Sequence, residues 1–348
     1  MMRVLVATDA WHPQINGVVR SLEHVAREAP ALGAEIAFLT PDMFRTWPMP
    51  SYPEIRLAVA FAAPVKRRMA ALKPDFVHIA TEGPIGLAAR RACLNGGLPF
   101  TTSYHTRFPE YLAARLPVPM AWSYAALRRF HNAGAGIMVS TGTIERELAA
   151  RGFRPLMRWS RGVDASLFRP RPDAGRPFPA PVFLYVGRVA VDKNIEAFLR
   201  LDLPGTKVVV GDGPARLPLQ AAYPEARFLG SLTGEALAAV YAAADVFVFP
   251  SMTDTFGIVL LEALASGLPV AAFPVAGPVD VIGSSQCGVL DHDLKRAALM
   301  ALAIPRDRCR AYGLTFTWRA SARQFLDNIR LAHGGDGGGE DGRLAIAS

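Results

Sequence analysis

Cysteine is scarce in this chain of 348 residues, which holds three, at Cys93, Cys287 and Cys309. Disulfide scaffolds and CxxC metal sites need closely spaced cysteines, so both classes are excluded. Three scattered thiols fit a reducing, cytosolic compartment. A disordered or fibrous chain is excluded too, because 51% of the residues are hydrophobic and only 20% are charged.

Long uncharged apolar runs are also lacking. The two most apolar stretches, 236–250 and 258–275, are interrupted by Asp245 and Glu262. Neither therefore supplies the roughly 20 uncharged residues that a membrane-spanning helix needs. The apolar run at the start, Val4–Ala7, is too short for the core of a signal peptide. Any association with a bilayer is expected to be peripheral.

The charge is distributed unevenly along the chain. The 38 Lys and Arg residues exceed the 30 Asp and Glu residues, which gives a formal net charge of +8. Residues 1–165 hold 20 of the basic and 12 of the acidic residues, whereas residues 166–348 hold 18 of each. The excess indicates nucleic acid, an anionic membrane surface or a soluble anion as partner. A generally Arg-rich composition would produce the same excess.

Apolar segments of strand length alternate with segments of helical periodicity. The alternation begins with a strand at Val4–Ala7 and a helix at 18–32 that Gly33 ends. It stops in the proline-rich linker 169–181 and then restarts. Further strands are predicted at 36–39, 76–79, 100–103, 137–140, 182–186, 208–210, 227–229, 246–249 and 270–273. Further helices are predicted at 65–72, 85–94, 121–131, 143–151, 194–201, 214–222, 234–243 and 258–265. This pattern predicts two Rossmann-like domains with parallel, doubly wound sheets that share one cleft.

The segment 250–270, PSMTDTFGIVLLEALASGLPV, joins a predicted strand to a predicted helix. It places Asp254 at the carboxyl end of the strand, where ligands of open α/β sheets bind. Gly257 permits close approach of the backbone, and the N–H groups of the first helical turn favour an anion. Glu262 lies among apolar residues, where a carboxylate needs a partner. A helix with one exposed acid is the alternative interpretation.

Two glycine-containing loops follow other predicted strands of the second half. In YVGRVAVDKN, Gly187 comes directly after a strand, and Arg188 and Lys193 flank the next loop. Two cations at a strand end suit a diphosphate, Arg through its planar fork and Lys as a point charge. Gly211 and Gly213 form a turn whose backbone is expected to approach a base or ribose. The GxGxxG fingerprint is absent, which argues against a dehydrogenase.

Other candidate site residues are Gly17, His105 and a DxD-like segment, each in a predicted loop. Gly17 either lets the first helix approach a phosphate or is an ordinary turn glycine. His105 follows the strand 100–103 and is expected to face the cleft. The sequence Asp291-His292-Asp293 resembles a metal-binding DxD but lies outside any predicted strand end, so we expect a surface loop.

Together these segments resemble the retaining glycosyltransferases of family 4, which have the GT-B fold. The resemblance runs from Val4 to about Arg330. Its strongest element is the acid-x7-acid motif with a glycine-rich flank, here Asp254–Glu262. The family usually has Glu at the first acid. The DTFG form resembles a branch of bacterial lipid glycosyltransferases and GDP-mannose-dependent alpha-mannosyltransferases.

The resemblance implies an α/β fold of two Rossmann-like, doubly wound domains that face a central cleft. Residues 1–165 would form the acceptor-side domain and residues 166–317 the nucleotide-sugar-binding domain. The last helix, 318–332, would cross back to the first domain. The glycine-rich tail 333–348 is expected to be disordered.

The resemblance also implies residue roles. Arg188 and Lys193 would bind the donor diphosphate and stabilise the leaving nucleotide. Asp254 would hold the sugar hydroxyls, Glu262 the ribose, and His105 would lie beside the sugar. The other donor-binding positions are Gly17, Gly187, Gly211, Gly213, Thr255, Phe256, Gly257 and Ile258.

The implied reaction transfers mannose, glucose or glucuronate from a UDP- or GDP-linked sugar to a membrane lipid such as diacylglycerol. Retention would follow from same-face attack, with the departing phosphate taking the acceptor's proton. No cofactor or metal is expected, because Arg, Lys and helix N-termini stabilise the leaving diphosphate, as metal ions do in other enzymes. The alternatives are a soluble or polysaccharide-precursor glycan as acceptor, or a nucleotide-sugar 2-epimerase. A nucleotide-binding protein without catalysis would lack the cationic or the acidic pair, and this chain has both.

The charge excess lies on the acceptor side. Relatives that glycosylate membrane lipids dock on anionic bilayers through a basic helix of the first domain, at about 1 kcal/mol per basic residue. The corresponding residues here are Lys66, Arg67, Arg68 and Lys73. A second basic and aromatic candidate comprises Trp122, Arg128 and Arg129. Ordinary solvated helix faces are the alternative for both. The expected location is cytoplasmic and peripheral on the inner face of the plasma membrane. Nucleic acid is not expected as a partner, because no binding motif is present.

Overall fold

The computed structural model describes residues 1–14, 16–49, 52–113, 118–172, 175 and 177–334. The chain divides into two compact units, Met1–Ser160 with the segment from Trp318 onward, and Arg161–Thr317. The boundary falls before the expected residue 165, because Val163 already forms a β-bridge with Thr317 in the second unit. Most of the tail expected to be disordered lies outside the described residues.

The first unit is built around a parallel sheet of six strands in the order β2-β1-β5-β6-β7-β8. Its strands are β1 (Met2–Ala7), β2 (Ala34–Leu39), β5 (Phe76–Ile79), β6 (Thr101–Tyr104), β7 (Gly136–Val139) and β8 (Leu156–Arg158). A separate antiparallel hairpin consists of β3 (Thr46–Met49) and β4 (Tyr52–Ala58). The helices are α1 (Gly17–Glu28), α2 (Ala62–Leu72), α3 (Pro84–Gly96), α4 (Phe108–Ala113), α5 (Met120–His131), α6 (Gly142–Ala150) and α14 (Trp318–Ala332).

Strand β1 shows how this sheet is covered on both faces. Leu5 and Ala7 pack in a cluster with α2, α3 and the end of α5. Val4 and Val6 point the other way and pack in a cluster with α1 and α14. The helices therefore form two layers, and a strand buried on both faces must be apolar at every position. This confirms the doubly wound arrangement predicted from the sequence.

The first helix is shorter than its apolar periodicity predicts. It ends at Glu28, and a 3-10 turn continues from Ala29 to Leu32. Pro30 has no N–H group to donate to the preceding turn, so the α-helix cannot continue through it. Gly33 then stops the segment with a φ of 77°, as the sequence predicts.

The second unit has a parallel sheet in the order β11-β10-β9-β12-β13-β14. Its strands are β9 (Val182–Val186), β10 (Thr206–Val210), β11 (Arg227–Phe228), β12 (Val246–Phe249), β13 (Val270–Ala272) and β14 (Gly288–Leu290). The helices are α7 (Ile195–Leu199), α8 (Arg216–Ala222), α9 (Gly234–Ala243), α10 (Ile258–Ala265), α11 (Ala276–Val281), α12 (Leu294–Ala301) and α13 (Arg306–Gly313). The first strand of the unit, β9, lies inside the sheet, so the chain winds first to one side and then to the other. This is the order of a nucleotide-binding Rossmann sheet.

The three cysteines and one of the two most apolar stretches lie in the cores. Cys93, Cys287 and Cys309 are all buried thiols. The apolar stretch 258–275 forms α10 and β13, which are buried in the second unit. Within the described parts of the chain, no helix has both the length and the apolar character needed to cross a bilayer.

Candidate functional site

The reversal of strand order between β9 and β12 places two predicted site loops side by side. Loops leaving the carboxyl ends of such strands turn to opposite faces of the sheet, which opens a crevice for ligands. Lys193 follows β9 and Asp254 follows β12, and the Lys193 Nζ lies 2.6 Å from Asp254 Oδ1. The two side chains are 22% and 23% exposed. The fold thus brings two predicted residues into direct contact although they are distant in sequence.

Arg188 is held at both its side chain and its backbone. Its guanidinium donates to Asp192 Oδ2 at 2.7 Å, and the Asp192 side chain is only 10% exposed. Its carbonyl accepts a 2.8 Å hydrogen bond from the buried hydroxyl of Tyr185. Burial, and then the charges of Asp254 and Asp192, raise the pKa of Tyr185 well above its ordinary value, so this hydroxyl stays a donor. Neither Tyr185 nor Asp192 is among the predicted site residues, although the short spacing between Arg188 and Asp192 is a signal in the sequence.

The carboxyl of Asp254 is kept ionised by its surroundings. Burial by itself would raise the pKa of this group. The charge and hydrogen bond of Lys193 and the charge of Arg188 outweigh burial and hold the pKa of Asp254 below its ordinary value. Asp254 is therefore an anion at neutral pH and accepts hydrogen bonds, as a group that holds sugar hydroxyls must do.

The glycines after β9 and β10 lie where two loops cross closely. The N–H of Gly187 donates to the Val210 carbonyl at 3.0 Å, and Gly211 follows that residue with a φ of 137°. A Cβ on Gly211 would lie 1.9 Å from the Gly187 carbonyl oxygen. Gly213 lies in the same turn with a φ of 154°. These glycines permit contact between the loops, and the predicted contact of this turn with a base or ribose stays a prediction.

The loop after β12 leads directly into the start of α10. Gly257 has a φ of 83°, and no side-chain hydrogen bond caps the helix that begins at Ile258. Thr255 and Phe256 are buried just before it. The N–H groups of this first turn are the kind of donor that an anion accepts from.

Glu262 has a hydrogen-bond partner, as a carboxylate among apolar residues needs. The side chain is 3% exposed, so a helix with one exposed acid is excluded. Its Oε2 accepts a 3.0 Å hydrogen bond from the hydroxyl of Tyr241 on α9, which is itself buried. Tyr241 was not singled out in the sequence. The role of Glu262 toward the ribose stays a prediction.

Two predicted residues belong to the first unit. Gly17 begins α1, where the side chain of Asn16 accepts from the N–H groups of Val18 and Val19 at 3.0 Å each. A phosphate at this helix would therefore meet the Gly17 end rather than those two N–H groups. His105 follows β6 directly, and its ring packs edge-on against Trp159 at 5.6 Å between centroids.

A half-buried acid just after β1, Asp9, is not among the predicted site residues. The Asp9 carboxylate accepts from the N–H groups of Ile85 and Gly86 at 2.8 and 3.2 Å and from the Thr81 hydroxyl at 2.9 Å. Burial raises the pKa of Asp9 although these bonds oppose it. Asp9 thus closes the start of α3 and ties the end of β1 to the loop that follows β5.

The basic residues predicted to meet an acceptor are mostly exposed. Arg67, Arg68 and Lys73 are exposed on α2 and at its end, and Lys66 is half-buried. The Arg68 guanidinium lies 5.0 Å from the ring centroid of Phe44. On α5, the exposed residues include Trp122, Arg128 and Arg129. Their partner stays a prediction.

The DxD-like segment follows a strand that the sequence did not predict. Asp291 comes directly after β14, so the expectation that it lies outside any strand end was wrong. Its carboxylate pairs with Arg296, and the Asp293 side chain caps α12 at the Arg296 N–H. Both acids thus have local structural partners. Among the described residues, no three His, Cys, Asp or Glu side chains are grouped to hold a metal ion.

Two doubly wound domains, with two cations and an acid at a strand reversal, are typical of the GT-B fold. Family models agree in both halves: Glycosyltransferase Family 4 matches residues 15–167, and Glycosyl transferases group 1 matches residues 180–304. A GDP-mannose-dependent alpha-mannosyltransferase from Mycobacterium tuberculosis is 33% identical over 83% of each chain. The chain belongs to glycosyltransferase family 4 and is a glycosyltransferase.

A further relative and a solved structure are also similar to this chain. An alpha-monoglucosyldiacylglycerol synthase from Streptococcus pneumoniae is 27% identical over 88% of this chain and 79% of its own. Among solved structures, a sucrose-phosphate synthase from Thermosynechococcus elongatus superposes with a TM-score of 0.78 at 20% identity, covering 96% of this chain and 99% of that one. At 20% identity, this similarity concerns the fold of the chain and not its activity.

Proposed function

We propose that this glycosyltransferase transfers a mannosyl group from GDP-mannose to a membrane lipid, with retention of configuration and without a metal ion. The observation that carries the proposal is the 2.6 Å contact between Lys193 and Asp254 at the strand reversal. In a nucleotide sugar the diphosphate is bonded directly to the anomeric carbon. A cation for the phosphate and an acid for the sugar must therefore be neighbours.

The charged residues at this strand reversal can support each step of the proposed reaction. Arg188 and Lys193 stabilise the charge that develops on the leaving diphosphate, which is the work that a metal ion does in other enzymes. Attack from the same face brings the acceptor hydroxyl beside a leaving phosphate oxygen, and that oxygen takes the proton. Asp254 holds the sugar hydroxyls as an anion, and no separate protein base is needed.

The choice of donor and acceptor rests on relatives and on one surface. The mycobacterial relative is GDP-mannose-dependent, and the streptococcal relative makes a glucosyldiacylglycerol. The first unit also has exposed apolar side chains, with Phe61, just before α2, 68% exposed and Trp47 of the hairpin 73% exposed. Aromatic and basic side chains together suit peripheral binding at an anionic bilayer.

A transfer assay tests this function directly. The protein is incubated with GDP-mannose or UDP-glucose, with and without detergent-dispersed diacylglycerol, and the glycolipid and released nucleotide are measured. We expect lipid-dependent transfer from GDP-mannose that persists in EDTA, and an α-linked product by NMR. A β-linked product would refute retention, and loss of activity in EDTA would refute metal independence.

Matched variants connect the activity to the site. Glu262→Gln removes the charge of the buried acid while leaving an acceptor for Tyr241, and we expect a large loss of transfer. Glu235→Gln is the control, because it makes the same change at an exposed position of the same unit. Equal activity of the two variants would remove Glu262 from the site, and absence of transfer by the unmodified protein from every donor would overturn the proposed function.

A further inference from the structure

The first sheet has a strand reversal of its own. Strand β1 lies between β2 and β5, and the chain passes to β2 on one side before it returns to β5 on the other. Helix α1 covers one face of this sheet and α3 covers the other. Loops that part in this way leave a crevice for a ligand at the carboxyl ends of β1 and β5. Because the proposed function puts the donor at the reversal in the second unit, this crevice is left for the acceptor.

The position that a phosphate would take in this crevice is already filled. The N–H groups of Ile85 and Gly86, in the first turn of α3, donate to the Asp9 carboxylate at 2.8 and 3.2 Å. A Cβ at Gly83, the residue before this helix, would collide with the same carboxylate. Phosphates bind in Rossmann crevices through such N–H groups. A phosphate would therefore have to displace Asp9, and the crevice favours an uncharged group.

Glu82 is a second acid at this reversal, and it remains partly exposed. It lies in the loop after β5, and its side chain is 26% exposed. Its Oε1 lies 3.0 Å from Nε2 of His131, a fully buried residue at the end of α5. Nδ1 of the same ring lies 2.9 Å from the Thr102 hydroxyl on β6. Within the described part of the chain, Glu82 has no further hydrogen bond and no Lys or Arg partner.

His131 orients one oxygen of this carboxylate. Because a carboxylate only accepts hydrogen bonds, Nε2 carries the ring proton toward Glu82, and Nδ1 accepts from the Thr102 hydroxyl. His78 is a second fully buried histidine beside β6, and its ring nitrogens lie 2.9 Å from the hydroxyls of Thr101 and Ser103. A core histidine of this sheet can thus be satisfied by hydroxyl groups. The acid at His131 is therefore not required by the core, and its other oxygen is left for a ligand.

We propose that Glu82 binds the acceptor: its carboxylate, with His131 as a positioning residue, accepts a hydrogen bond from a hydroxyl of the acceptor headgroup. The inference rests on the proposed transfer to a membrane lipid and adds which headgroup the enzyme selects. In the proposed reaction the attacking hydroxyl gives its proton to the departing phosphate. The hydroxyl that Glu82 holds is therefore a second one. The preferred lipid has an uncharged headgroup with several hydroxyls, as a sugar or a polyol has.

The two acids of the crevice select together against a charged headgroup. Burial chiefly, and the charge of Glu82 to a smaller degree, raise the pKa of Asp9, so the two carboxyl groups lie close enough to interact. A phosphate or carboxylate on the headgroup would meet both of them. Diacylglycerol is uncharged but has a single hydroxyl, which is the one that reacts. It therefore gives Glu82 no hydrogen bond and should be the poorer acceptor.

The test compares two acceptors that differ only in the headgroup. Monoglucosyldiacylglycerol and diacylglycerol with the same acyl chains are dispersed in detergent, and kcat/KM for transfer from GDP-mannose is measured with each. A hydrogen bond to a charged group corresponds to a factor of about 10 to 150. We expect the unmodified protein to prefer the glucosylated lipid by a factor of this size, chiefly through a lower KM for the acceptor. Equal efficiency on the two lipids, or a preference for diacylglycerol, would overturn the inference.

Variants of the acid assign the preference to Glu82. Glu82→Ala should bring the ratio of the two kcat/KM values close to one, and Glu82→Gln, which keeps an oxygen acceptor, should restore part of the ratio. Glu145→Ala is the matched control, because it removes an acid of the same unit that pairs with Arg158 at the surface. This control should keep the ratio of the unmodified protein. A ratio that Glu82→Ala leaves unchanged would show that the acid has only a structural role.

Variants of the two buried histidines test the positioning. His131→Leu should lower the ratio, and His131→Gln, which keeps an N–H group toward Glu82, should retain more of it. His78→Leu should lower the melting temperature as His131→Leu does and leave the ratio unchanged. Equal falls in the ratio for the two leucine variants would reduce His131 to a residue of the core. Thermal melts check folding, and the Glu82 variants decide the proposal if a leucine variant does not fold.

Transfer by the unmodified protein separates this inference from the function beneath it. If the protein transfers to either lipid without a preference that depends on Glu82, the acceptor contact is wrong and the proposed function stands. If it transfers to neither lipid from any donor, the proposed function itself is wrong.

Discussion

Replacing Lys193 by methionine should weaken binding of a nucleoside diphosphate without unfolding the protein. The variant keeps the apolar length of the side chain and removes the ammonium that lies 2.6 Å from Asp254. A hydrogen bond to a charged group contributes about 1.5–3 kcal/mol, which corresponds to a 10- to 150-fold loss of affinity for GDP. The effect on folding is smaller than for a fully buried pair, because both side chains are 22–23% exposed. We expect the free energy of unfolding to fall by about 1–3 kcal/mol.

Isothermal titration calorimetry with GDP measures the loss, and two further variants sharpen it. Lys295→Met is the matched control: its ammonium is 44% exposed, lies 3.1 Å from Asp202, and is in the same unit. Asp254→Asn should bind GDP at least as tightly as the unmodified protein, because it frees Lys193 for the phosphate, while transfer is lost. A change below twofold in the Lys193 variant, or equal losses in it and the Lys295 control, would refute the reasoning. An Asp254 variant that binds GDP as weakly as the Lys193 variant would show that the acid organises the lysine.

The remaining predictions concern neighbouring bonds. Tyr185→Phe removes the donor to the Arg188 carbonyl, and GDP affinity should fall about threefold to tenfold by calorimetry; an unchanged affinity would show that Arg188 needs no such support. Tyr241→Phe leaves buried Glu262 short of a donor, so urea melts should show a loss of about 1–3 kcal/mol, and a loss below 0.5 kcal/mol would contradict this. Because the pKa of Asp254 is depressed, its stabilising effect is present above its unfolded pKa of about 3.9 and is lost as the pH falls through its folded pKa. The difference in unfolding free energy between the protein and Asp254→Asn should therefore be constant from pH 5 to 7 and shrink below pH 4; a slope between pH 5 and 7 would count against the assignment.

Buried parallel strands were the most predictable part of the fold. The bounds of β5, β9 and β12 are those of the apolar runs, because such strands have no solvent-facing side to introduce polar residues. Helices α9 and α10 are likewise as predicted. The motifs that resemble family 4 lie at the ends of these strands, so they can be recognised without the order of the strands in the sheet.

The missed elements have little apolar pattern to detect. Strand β3 contains Pro48, which a central strand would not tolerate but a two-stranded hairpin at the surface does. Strand β14 has three residues, all half-buried. Helix α13, RDRCRAYG, buries only Cys309 and Gly313, so its polar sequence gives no helical stripe. Each of these elements is fixed by packing against its neighbours rather than by its own periodicity.

The site was predictable as a set of strand ends but not as a set of contacts. That Lys193 and Asp254 follow strands is visible in the sequence; that those strands are neighbours depends on the order of the sheet. Tyr185 and Tyr241 were invisible for another reason. Both are buried aromatic residues that resemble core, and only their hydroxyl partners show that they support charged groups.

The two groups of cations in this protein differ in how far their charge reaches. In the second unit Lys193 is paired with Asp254 and Arg188 with Asp192, so the local charge of the four groups is zero. Such a site exerts little attraction at a distance. Under the proposed function it would recognise a diphosphate only by direct contact, when phosphate oxygens compete with the carboxylates for the same donors. In the first unit, helices α2, α3 and α5 contain Lys and Arg but no Asp or Glu, so the charges within these helices add instead of cancelling. Under the proposed function, the charges of these helices would attract an anionic bilayer at a distance, whereas the paired cations would select the donor at short range. The net charge of the chain therefore describes its first unit and not the paired cations that follow β9.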